Sequence, residues 1–84
     1  MAVTFIAKGT VVTDPSYNNI GRAVFVRCVA TAQSTITIDS TDSTILGEVY
    51  LHAAGDEVII EKHPADRITV TGGAKVHAIG SPRS

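Results

Sequence analysis

Apolar and polar positions alternate along most of this chain with a period of two, and no window sustains a helical period. Residues 34–39 (STITID) are the cleanest case: Ile36 and Ile38 point inward, and Thr35, Thr37 and Asp39 point outward. Residues 23–32 (AVFVRCVATA) form the longest strand candidate. Val24, Val26, Cys28 and Ala30 share one face, and Phe25, Arg27, Val29 and Thr31 the other. Both faces are largely apolar, which predicts a central strand or one covered on both sides. A first strand is expected over 3–8, a bend or bulge at Gly9, and a continuation or a second strand over 10–13. The last strand is expected over 75–79. Residues 1–80 read as one β domain, and 81–84 as a short flexible tail.

Residues 47–70 (GEVYLHAAGDEVIIEKHPADRITV) form the centre of this pattern. Two alternating runs flank a small-residue turn at 53–56, and Pro64, Ala65 and Asp66 interrupt the ladder before Arg67. The stretch predicts a hairpin followed by a third strand, with Val49, Leu51, Val58, Ile60 and Ile68 in the core. On the other face, Glu48, Tyr50 and His52 would meet Ile59, Glu61 and His63. Residues 40–43 predict the tip of a hairpin joining 34–39 to 44–51, with Gly47 marking a bulge or a close backbone approach. Gly72 and Gly73 predict another hairpin reversal. Residues 14–22 hold the longest turn-rich stretch, read as a plain surface loop or as a mobile, partner-contacting one. Seven or eight short strands result, as expected of a small antiparallel β-sandwich or barrel.

Composition supports the all-β reading. Val, Ile and Thr supply ten, nine and ten of the 84 residues, and these side chains favour pleated, half-buried surfaces. A domain of this size buries roughly 60% of its unfolded surface, so its core is thin and association is an expected source of stability. The net charge is −1, and the seven Lys and Arg residues are scattered. With no basic stripe and only four aromatics, no nucleic-acid partner is expected. No apolar run approaches a membrane span and the N-terminus does not read as a signal peptide, so no membrane partner is expected. The single cysteine, Cys28, forms no intrachain disulfide, which fits assembly in a reducing cytoplasm.

Chemistry is sparse. His52, His63 and His77 with Asp56, Glu57, Glu61 and Asp66 provide metal-ligand types, but no tight spacing such as HxxxH or CxxC. His52 and His63 would approach each other across the expected hairpin. Cys28 sits among valines and reads as a small buried hydrophobe. Glu57 and Glu61 share a strand face but lie roughly 13 Å apart along it, too far to share a proton. Gly72-Gly73-Ala74-Lys75 lacks the frame of a phosphate-binding loop. No catalytic, metal or cofactor site is therefore expected, and the chain reads as no enzyme. Arg27 reads either as a charge that snorkels or pairs with a nearby acid, or as half of an intersubunit salt bridge. Tyr17 and Tyr50 are the two candidates for stacking on a sugar.

The residues Gly47, Val49, Tyr50, Leu51, Ala54, Gly55, Val58, Ile59, Ile60, Glu61, Lys62, Pro64, Asp66 and Ile68 carry a further pattern, preceded by the Thr/Ser-rich 34–47. Over roughly 23–79 the chain resembles small β-rich virion structural proteins of tailed, cyanophage-type bacteriophages. The resemblance implies a non-enzymatic particle component acting as a symmetric homo-oligomer. A head decoration (cement) protein bound to the major capsid protein is the first expectation, with assembly in the host cytoplasm and the virion as its final location. A neck or tail subunit, or a carbohydrate- or host-surface-binding module, are the alternatives. Arg27, Tyr50, Glu61 and Lys62 are the expected subunit contacts.

Overall fold

The computed structural model describes residues 7–80. The expected strand over 3–8 lies mostly outside them, and the expected tail over 81–84 entirely so.

Seven antiparallel strands follow the alternation: β1 (Ala7–Thr13), β2 (Phe25–Ala30), β3 (Ser34–Asp39), β4 (Ile45–Leu51), β5 (Glu57–Glu61), β6 (Arg67–Thr71) and β7 (Ala74–Ile79). They form two sheets, one of four strands in the order β1-β7-β2-β5 and one of three in the order β4-β3-β6. The fold is a small β-sandwich, as its composition and patterning predict.

The core lies between the sheets. The larger sheet contributes Val26, Cys28, Ala30, Ala74 and Val76, and the smaller Ile36, Ile38, Leu51 and Ile68. Strand register explains the partition. Cys28 lies opposite both Val58 and Val76, and Ile36 opposite both Val49 and Val70, so each row across a sheet is apolar on its inner side. Val49, Val58 and Ile60 pack against this core but stay partly open, because β4 and β5 are edge strands.

Two pairings differ from expectation. First, β4 and β5 do not form a hairpin: β4 pairs with β3, β5 pairs with β2, and residues 52–56 cross from one sheet to the other. A row of Glu48, Tyr50 and His52 facing Ile59, Glu61 and His63 therefore does not exist. Second, Gly72 and Gly73 also cross between sheets, from β6 to β7. Here glycine is required, because a Cβ on Gly72 would lie 2.3 Å from the Gln33 carbonyl oxygen and the residue has φ +108°. The expectation for β2 holds in its first form: the strand is central, between β7 and β5, and covered on its inner side. Val26, Cys28 and Ala30 are buried, whereas Phe25, Arg27 and Val29 on the outer face are half-buried.

Other expectations hold. Residues 40–43 turn β3 into β4: Ser43 N–H donates to the Ser40 carbonyl, and Ser40 N–H to the Thr44 carbonyl, both at 2.9 Å. A bulge falls beside Gly47, where Ile38 pairs with Gly47 and Asp39 with Ile45, leaving Leu46 as the extra residue. On β1 the register shifts between Lys8 and Val12, so one irregular strand passes through Gly9.

Residues 14–22 are more structured than a plain surface loop. Asn18 makes an antiparallel bridge to Ile68, donating at 3.1 Å and accepting at 2.8 Å, and Val70 N–H donates to the Pro15 carbonyl at 2.8 Å. The segment thus occupies the β6 edge as a short surrogate strand and sinks Ile20 into the core. Asp14, Tyr17, Ile20 and Arg22 adopt left-handed backbone conformations, with φ from 50° to 60°. Such conformations are costly for a β-branched residue like Ile20, and burial and hydrogen bonds hold them in place.

Candidate functional site

Expected contact residues separate once the strands pair. The Arg27 guanidinium forms an ion pair with the Glu57 carboxylate, diagonally across β2 and β5, so an acid of the same chain holds this charge. Glu61 is exposed on the edge strand β5, opposite Phe25 on the outer face. Tyr50 is 61% exposed on β4.

Lys62 departs most from expectation: it is 6% exposed and presents no ammonium to a partner. Its Nζ donates to the carbonyls of Ala23 at 2.7 Å and Asn19 at 2.9 Å, with longer contacts to those of His63 and Pro64 at 3.4 Å. Burial holds its pKa below the ordinary lysine value, partly opposed by the charge of Asp66. Lys62 is an internal clamp that ties 19–23 to the turn after β5. Its place after an alternating strand gave no signal of this, since the carbonyls come from a distant loop.

The histidines do not gather. His63 Nδ1 accepts from Ala65 N–H at 3.1 Å, stabilising its own turn. His52 sits at the end of β4, where its N–H and that of Ala53 donate to Asp56 Oδ2 at 3.0 and 3.1 Å. His77 lies opposite Arg27 on the outer face of the larger sheet, where burial and then the Arg27 charge lower its pKa. Among the described residues, no group of three or more His, Cys, Asp or Glu is placed to hold a metal ion. Cys28 is buried at the centre of the core, and burial pushes its thiol up to about 12.

A polar cluster unforeseen from the sequence caps one end of the smaller sheet. Arg67 Nη2 donates to Asp39 Oδ2 at 2.9 Å and to the Ser40 carbonyl at 3.1 Å, and the Tyr17 ring lies 5.0 Å from its guanidinium carbon. Asp39, expected outward, is therefore buried against a half-buried partner. Tyr17 N–H donates to Thr69 Oγ1 at 3.0 Å, which fixes the ring over Arg67.

Two features of the β4 surface remain open to a partner. At its start, Ile45 and Leu46 are 62% and 56% exposed on a strand paired on one side only. The sequence carries a signal here, since adjacent apolar residues break the alternation and the bulge turns both outward. At its other end lies a depression of about 320 Å³, lined by Gln33, Ser34, Thr35, Tyr50, Leu51, His52, Thr71 and Gly72. Its geometry follows from register: Thr35 lies opposite both Tyr50 and Thr71, where β3 begins and β4 and β6 end.

Comparison with known proteins gives no match to any family model, curated protein or solved structure.

Proposed function

We propose that this chain is a non-enzymatic structural subunit of a phage virion, a head decoration protein that assembles with further copies of itself through β4. The observation that carries the assembly reading is the pair Ile45 and Leu46, exposed together on an edge strand. Burying what remains exposed of these two side chains contributes about 2–4 kcal/mol. A two-fold contact uses the patch twice, bringing the gain into the range of the about 4–15 kcal/mol that association costs. The bulge at Leu46 twists the strand away from regular pairing, so the contact is made by side chains more than by strand addition. The particle itself enters through the resemblance of residues 23–79 to virion proteins, with the major capsid protein as the second partner.

Light scattering over a range of concentrations tests the assembly. The wild-type chain is expected above its 8.8 kDa monomer mass, and Ile45→Ser/Leu46→Ser at that mass with its fold intact. A wild-type chain that stays monomeric throughout sinks the proposal. Co-sedimentation with decoration-free capsids of the phage that encodes it tests the particle reading separately.

A further inference from the structure

We infer that the depression at the end of the smaller sheet is a binding site for a neutral saccharide, with Tyr50 as its stacking platform. This goes beyond the assembly proposal and does not depend on it.

The lining sets the ligand class. Gln33, Thr35, His52 and Thr71 offer amide, hydroxyl and imidazole groups, each able to donate or accept. None of the eight lining residues is Lys, Arg, Asp or Glu. A phosphate or carboxylate ligand would find no fixed cation there, and an ammonium ligand no carboxylate. A flat aromatic ring beside neutral hydroxyl and amide groups complements a sugar ring, which has an apolar C–H face and a polar rim.

Shape points the same way. About 320 Å³ lies at the low end of small-molecule sites, which suits a single sugar unit and not a long chain. Gly72 approaches Gln33 and Ser34 so closely that no side chain could stand there, which leaves this part of the depression open. Tyr17, the other stacking candidate, is already engaged over Arg67, so the structure separates two tyrosines that the sequence left equal.

Nuclear magnetic resonance titration of the isotope-labelled full chain with glucose, galactose, mannose and N-acetylglucosamine, each to tens of millimolar, tests the inference. The expected result is saturable shifts at the amides of Gln33, Thr35, His52 and Thr71 with at least one sugar. Tyr50→Ala should weaken that binding about tenfold, which corresponds to about 1.4 kcal/mol. Tyr50→Phe, which keeps the ring, should retain it. Ile45→Ser/Leu46→Ser should bind as wild type, keeping the result independent of assembly. No saturable shift with any of the four sugars overturns the inference. So does unchanged affinity in Tyr50→Ala, or tighter binding of glucose 6-phosphate at the same amides.

Discussion

The Asp39 carboxylate and the Arg67 guanidinium face each other directly across β3 and β6, joined at 2.9 Å with the acid nearly inaccessible. Asp39 Oδ1 and Arg67 Nε have no further partner among the described residues. The pair is costly to break from one side only, because removing one partner leaves the other charge buried alone. Arg67→Ala is expected to destabilise the fold by about 3 kcal/mol. Asp39→Ala/Arg67→Ala should cost clearly less than the sum of the single changes in urea denaturation. Additive losses would show that the two side chains act independently.

Lys62 makes a second prediction. Replacing it with Met keeps the apolar stem but leaves the Asn19 and Ala23 carbonyls without their donor. A loss of about 1–3 kcal/mol is expected, with faster amide exchange at Ile20 and Ala23. As the folded-state pKa is depressed, the unfolded chain holds the proton more tightly at high pH. The cost of burying this charge is therefore present at neutral pH, and wild-type stability should gain from Lys62 as pH rises toward 10.5. Lys62→Met should lack that gain.

Glycine substitutions should split by position. Gly72→Ala drives a methyl group into the Gln33 carbonyl and strains a residue at φ +108°. A loss of several kcal/mol or failure to fold is expected, beyond the ordinary roughly 1 kcal/mol scale of glycine effects. Gly47→Ala meets nothing within 4 Å and should fold with wild-type stability within about 0.5 kcal/mol. Thermal denaturation of the two variants side by side decides this.

Cys28 should be inert. With its thiol buried and its pKa near 12, it should resist an aromatic disulfide reagent at pH 8 in the folded protein and react fully in urea. Rapid labelling without denaturant would mean that the core opens locally.

The β3–β4 turn should report on acid. Asp42 is held down to about 2 from 3.8 by hydrogen bonds from Ser40 and Thr44. Its stabilising contribution is fully present above pH 3.8 and is lost as pH falls through about 2. The Thr44 amide, which donates to Asp42 Oδ1 at 3.1 Å, should shift with that midpoint, and Asp42→Ala should abolish the transition.

Period-two alternation determined where the strands lie and which side of each faces inward: Ile36, Ile38, Leu51 and Ile68 are core for the reason their spacing gives. Local turn chemistry determined the β3–β4 hairpin, whose bonds close within 40–44. Which strand pairs with which was decided by tertiary structure alone. Val49, Leu51, Val58 and Ile60 point to the core whether 52–56 closes a hairpin or crosses between sheets, because alternation fixes a face and not a neighbour. The crossing was settled by distant partners, β3 for β4 and β2 for β5. The same distance hid the clamp of Lys62 on Asn19 and Ala23 and the engagement of Tyr17 with Arg67. It also hid the meeting of Gln33, Tyr50 and Thr71 around one depression, since residues far apart in the chain share a surface only after both sheets have formed.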